Sequence, residues 1–207
     1  VHSGLQSIRH DPFGTMVVDH IGPIPDVDGK QVWILNMFAP ESGASALEAV
    51  YTRAAAETGR VIMQRMCLTR PPPRIWQSDN AKEFVGATVA AVAKLFGAYT
   101  VHGAPYRPQT QGAVEKNNHM VVRILQSLRE ELPNAPIRWL LPFVEGAIMR
   151  SIRPTGVSPM FYLYGHDAAT VVGQDMDEGE RGSLGDFLKA VQIMRSQAGD
   201  HHQLSKE

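Results

Sequence analysis

The order of the apolar segments constrains this chain most. Residues 15–21, TMVVDHI, and 31–38, QVWILNMF, are strand-like runs separated by GPIPDVDGK, whose Gly, Pro and Asp residues form turns. The pattern predicts a β-hairpin. From Ser45 onward, strand-like and helix-length segments alternate. The Ala-rich stretch to Cys67 reads as a short strand and a helix, and Arg74 to Gln77 reads as a strand leading to Ser78 and Asp79. A helix from Glu83 to Phe96 and a strand near Tyr99 follow. Pro105, Pro108 and Gly112 read as a loop. Beyond it Val114, Val121, Leu125, Leu128 and Leu132 share one helical stripe, and a further helix is expected from Ile137 to Ile152. A hairpin followed by alternating strands and helices predicts an α/β fold with a mixed sheet covered by helices.

Material for one substantial core is present, since 43% of the 207 residues are hydrophobic. The expected division is an N-terminal extension at 1–11, a core domain at 12–166, an acidic Gly-rich linker at 167–183, and a helix and tail at 184–207. No apolar run approaches the roughly 20 residues needed to cross a bilayer. The opening VHSGLQSIRHDPFG also lacks the apolar stretch of a signal peptide, so a soluble, intracellular protein is expected. Cys67 is the sole cysteine, which excludes an intramolecular disulfide and a zinc site of the CxxC kind.

Formal net charge is −1, but its distribution along the chain is uneven. Residues 1–59 hold 3 Lys/Arg against 7 Asp/Glu, residues 60–129 hold 10 against 3, and residues 165–207 hold 4 against 8. Two of the three acids in the basic middle segment are Asp79 and Glu115. A basic surface around a small acidic centre suits a phosphate backbone. Asp19 is informative for another reason: a carboxylate inside an apolar strand requires a cation, a hydrogen-bonding network or a metal to offset its desolvation.

Thirty-five residues separate Asp79 from Glu115, and each lies in a distinctive string: SDNAKEF at 78–84 and PYRPQTQGAVEKNN at 105–118, with GVSPMFYLYG following at 156–165. Together these strings and their spacing resemble the catalytic cores of retroviral and Ty3/Gypsy-type integrases, whose motif is D,D-35-E. The resemblance runs from about Pro12 to Gly165. It implies an RNase H-like fold, a five-stranded mixed sheet flanked by helices, with catalytic and metal-binding carboxylates at Asp19, Asp79 and Glu115. Oxygen ligands of this kind suit Mg²⁺ or Mn²⁺, and the resemblance implies two such ions serving 3′-end processing and strand transfer. It further implies contacts with double-stranded DNA at Tyr106, Gln111, Asn118 and His119, which Lys116 and Arg123 could extend along the phosphate track. A homo-oligomer, in the nucleus or a virus-like particle, is the expected setting.

Two alternatives stand beside this reading: a DNA transposase of the same chemistry, and a domesticated DNA-binding or interaction protein without catalysis. The family's His/Cys zinc module is expected to be missing from the chain, as is a complete C-terminal DNA-binding domain, so a catalytic-core fragment is expected. Ala81 replaces the Gly usual in the SDNG string, which would disturb the turn after Asp79 if that position required positive φ.

Overall fold

A computed structural model describes residues 14–69, 73–79, 81, 84, 87–102, 108–153 and 156–165. The extension at 1–11, the acidic linker at 167–183 and the helix expected beyond it therefore lie outside the described residues. Tyr106 lies outside them too, as does the side chain of Cys67.

The described elements are β1 (Thr15–Pro25), β2 (Gln31–Ala39), β3 (Ala44–Val50), α1 (Ala55–Thr69), β4 (Ile75–Ser78), α2 (Ala87–Leu95), β5 (Tyr99–His102), α3 (Pro108–Glu131), α4 (Ile137–Arg150) and α5 (Pro159–Tyr164). They form a five-stranded sheet in the order β3-β2-β1-β4-β5. β1, β2 and β3 pair antiparallel in sequence, while β4 joins the other edge of β1 in parallel and β5 joins β4 in parallel. The mixed sheet expected from the hairpin and the alternating segments is present.

Alternation along the strands divides the core between the two faces of the sheet. Met16, Val18, Leu35, Met37 and Trp76 pack with Val61 and Ile62 of α1 and Val89, Val92 and Ala93 of α2. On the opposite face Val32, Ile34 and Leu47 pack with Val121, Leu125 and Leu128 of α3 and Leu140, Val144 and Ile148 of α4. Val17 and Phe38 meet Val114 of α3 on that second face. Thus odd positions of β1 and even positions of β2 face α3, which places Asp19 and Asn36 on the same side as that helix.

Two boundaries differ from the sequence reading. β1 continues through Gly22 and Pro23 as far as Pro25, with an irregularity in register between Ile21 and Ile24, so the turn itself is confined to Asp26–Gly29. Gly22 makes this possible: its φ is +125°, and a Cβ there would lie 3.0 Å from the Val32 carbonyl oxygen. α3 begins at Pro108 rather than near Val114, because proline is well suited to the first helical turn, where its missing N–H has no intrahelical partner to lose. Glu115 is consequently two turns inside the helix instead of in its first turn.

Long-range polar contacts fasten the α4 layer. Asp26 in the hairpin turn accepts the backbone N–H of Ile137 at 3.0 Å, satisfying one of the free donors at the start of α4. Glu145 of α4 accepts the N–H of Leu47 in β3 at 3.0 Å and pairs with Arg65 of α1. Among the described residues no helix is long and apolar enough to cross a membrane.

Because Leu125 is 2% exposed and lies between the sheet and α4, Leu125→Ala should destabilise the domain by about 2–5 kcal/mol. Chemical denaturation measures this as a lowered midpoint with little change in slope; an unchanged midpoint would refute the packing assigned to α3.

Candidate active site

The parallel ladder between β1 and β4 creates the site. Val17 is opposite Gln77, and two residues further along these strands come Asp19 and Asp79, one inside β1 and the other just past the end of β4. Asp19 is half-buried while Asp79 is exposed. Their charges interact: burial pushes the Asp19 carboxyl above its usual range, hydrogen bonds from Asn118 and His20 pull it back, and the nearby Asp79 charge adds to the rise.

Each Asp19 oxygen has its own donor. Oδ1 accepts the His20 backbone N–H at 2.8 Å, and Oδ2 accepts Asn118 Nδ2 at 2.8 Å. Asp79 Oδ1 accepts the N–H of Ala81 at 3.0 Å, an Asx-type turn that aims the carboxylate without requiring glycine. Ala81 does not have positive φ, so the replacement of the usual Gly is accommodated. Ser78 steadies the strand end: its hydroxyl lies 2.9 Å from His102 Nδ1 on β5 and donates to the Asp79 carbonyl oxygen at 3.1 Å.

Glu115 comes from α3, one turn before Asn118. The same helix therefore presents a carboxylate and the carboxamide that holds Asp19. Glu115 is exposed, and its Oε1 accepts Gln111 Nε2 at 3.0 Å. Among the described residues no three His, Cys, Asp or Glu side chains are arranged to hold a metal ion. The structure thus brings Asp19 and Asp79 together and carries Glu115 on the helix tied to Asp19, with its carboxylate engaged by Gln111.

Gln111, Lys116, His119 and Arg123 are exposed along α3. Asn118 differs from them: it is half-buried, with its Nδ2 given to Asp19 and its Oδ1 accepting Asn36 Nδ2 at 2.8 Å. Both ends of its carboxamide thus make hydrogen bonds within the fold. Sequence reasoning missed Asn36, Asn117 and Ser45, which continue this network beneath the site. A signal for Asn36 was available, since it interrupts an apolar strand just as Asp19 does.

No family model matches the chain. Its sequence is 31% identical over 163 residues to the Pro-Pol polyprotein of Simian foamy virus type 3 (strain LK3), covering 77% of this chain and 14% of that protein. It is also 30% identical over 157 residues to the Pro-Pol polyprotein of Simian foamy virus type 1, covering 74% of this chain and 13% of that protein. The chain therefore spans about one seventh of the length of these relatives. Its fold matches the HTLV-2 integrase catalytic core domain, solved in complex with magnesium in a trimeric form, with a TM-score of 0.61 at 15% identity over 72% of this chain and 95% of that one. In sequence the chain is similar to a segment of foamy-virus Pro-Pol polyproteins, and in fold to a retroviral integrase catalytic core. The fold also matches the BIV integrase catalytic core domain, with a TM-score of 0.62 at 18% identity, covering 78% of this chain and 99% of that one.

Asp19 has a raised carboxyl pKa, so the fold favours its protonated form. The associated stability is fully present below the ordinary aspartate value of 3.8 and is lost as pH rises through the folded pKa. Asp19→Asn should therefore raise the melting temperature of the metal-free protein at pH 7, with the gain shrinking as pH falls towards 3.8. Thermal unfolding across that range is the measurement; a gain independent of pH would show that charge at Asp19 is not its cause.

Proposed function

We propose that this chain is the catalytic core of a retroelement integrase that trims the 3′ ends of element DNA and joins them to target DNA. The observation that carries the reading is the juxtaposition of Asp19, inside β1, with Asp79, just past the end of the adjacent parallel strand β4, and Asn118 tying the helix of Glu115 to Asp19. Among the described residues neither Asp19 nor Asp79 is in an ion pair with Lys or Arg. Two unneutralised carboxylates, one of them half-buried, form a donor set suited to a hard divalent cation.

Asp19, Asp79 and Glu115 would hold Mg²⁺ or Mn²⁺. Bound there, two such ions supply activation of the attacking oxygen and neutralisation of the leaving oxygen in an in-line displacement at phosphorus. The chain's own residues set the geometry. Asn118 and the His20 N–H direct the oxygens of Asp19, the Ala81 N–H directs Asp79, and Gln111 donates to Glu115, which would be the third ligand. Along the exposed side of α3, Lys116, His119 and Arg123 supply charge to a DNA backbone, and Gln111 supplies a hydrogen bond. Tyr106 is assigned to the same DNA path. The similarity to Pro-Pol polyproteins favours a retroelement over a cut-and-paste transposon. Assembly as a homo-oligomer is part of the proposal, supported by the trimeric form of the HTLV-2 core.

In Mg²⁺- or Mn²⁺-dependent cleavage and joining of a DNA end, Asp79→Asn and Glu115→Gln should each lower the rate at least a hundredfold while thermal unfolding stays cooperative. Wild-type rates in either folded variant would remove that residue from the site. DNA binding is tested separately. His119→Lys places an ammonium at this position of α3, so it should steepen the dependence of log affinity on log salt by about one phosphate contact, a slope change of roughly 0.9. An unchanged slope and affinity would exclude His119 from the DNA path and leave the carboxylate assignment intact.

A further inference from the structure

A chain of carboxamides lies under the Asp19–Asp79 pair. Asn36 is opposite Asp19 in the β1–β2 ladder, 1% exposed, and on the sheet face that meets α3. Its Nδ2 donates to two acceptors at once, Asn117 Oδ1 and Asn118 Oδ1, both at 2.8 Å. Ser45 on β3 donates its hydroxyl to Asn117 Oδ1 at 3.0 Å, and Asn117 is itself 1% exposed. Three adjacent strands are thus connected through buried side chains to one turn of α3.

A carboxamide has two ends, an acceptor oxygen and a donor nitrogen, and these differ little in size. Packing alone cannot choose which end of Asn118 faces Asp19. The choice matters because an amide N–H attracts a carboxylate oxygen and an amide oxygen repels it. Asn36 supplies the asymmetry: by donating to Asn118 Oδ1, it leaves Asn118 Nδ2 directed at Asp19 Oδ2. The arrangement has a cost, since Asn36 Oδ1 and Asn117 Nδ2 are buried without a hydrogen-bond partner among the described residues. A strand residue present only to fill space between β1 and α3 would be apolar and would incur no such cost.

We propose that Asn36 is a positioning residue of the active site, acting through Asn118 to fix the orientation of the Asp19 carboxylate and its register with the α3 turn that carries Glu115. In its catalytic consequence this rests on the integrase reading above. Groups one bond removed from a metal ligand commonly alter metal affinity by about 10- to 100-fold when removed, because the ligand loses its fixed direction. Asn36→Leu retains similar bulk and removes the donor. It should raise the Mn²⁺ concentration for half-saturation about tenfold or more, and Asn118→Leu should do the same.

The deciding experiment compares wild type, Asn36→Leu, Asn118→Leu and the double variant by Mn²⁺ binding calorimetry and by NMR of the side-chain amides in metal-free protein. If Asn36 acts through Asn118, the double variant binds Mn²⁺ no more weakly than Asn118→Leu alone, whereas independent effects would multiply and overturn the proposal. In the metal-free wild type, one Asn118 Nδ2 proton should exchange slowly with solvent because Asp19 holds it. Fast exchange in Asn36→Leu is expected, and wild-type protection there would refute the orienting role. Asn36→Val, which suits a buried strand, replaces the leucine variant if that protein does not fold. Should wild type fail to bind Mn²⁺ at all, the integrase reading falls, while the amide exchange still decides whether Asn36 orients Asn118.

Discussion

The site depends on β1 having different neighbours on its two edges. β2 returns beside it through a tight turn, which requires only local chain reversal, whereas β4 reaches its other edge after a long excursion through β3 and α1. The parallel register that results brings two acids far apart in sequence to matching positions on neighbouring strands. No local interaction could hold them there, because two carboxylates repel; the apolar contacts on both faces of β1 do so. Met16 and Val18 are buried against one layer and Val17 against the other, so that strand cannot slip by a residue without exchanging Asp19 with its apolar neighbours.

Helix α3 has two tasks, divided between its faces. Val121, Leu125 and Leu128 anchor it against the sheet and α4, and Gln111, Glu115, Lys116, His119 and Arg123 line its solvent side. Asn117 and Asn118 sit between these faces, where the helix surface meets the sheet beside Asp19. A purely apolar contact there would allow the helix to rotate slightly at small cost. Directed hydrogen bonds from Asn36 and Ser45 oppose that freedom, since their geometry is lost within a few tenths of an ångström and a few tens of degrees. The precision of the site and the stability of the fold therefore have different origins. Burial supplies the second, and the small polar network supplies the first.

The electrostatics follow the same division. Asp19 is far enough inside for desolvation to weaken its acidity, while Asp79 at the strand end remains exposed. Backbone and amide donors direct the oxygens of both groups. Glu115, exposed on α3, accepts a hydrogen bond from Gln111 one turn earlier.

Much of this was legible in the amino-acid sequence because local chemistry dictates it. The alternation of TMVVDHI and QVWILNMF, the stripe from Val114 to Leu128 and the strings around Asp79 and Glu115 identify the hairpin, the long helix and the acids, since side-chain period and turn formers act over a few residues. The extra residues of β1 and the start of α3 were misread for the same reason: Gly22, Pro23 and Pro108 are breakers by propensity, and only their tertiary surroundings make them strand and helix residues. The partner of Asp19 could not be read from sequence at all. Whether Asn118 faces DNA or Asp19, and whether Asn36 fills space or directs an amide, depends on which strand face meets α3 and in what rotation. The packed sheet and helices decide that, because hydrogen-bond direction exists only once the groups have been brought together.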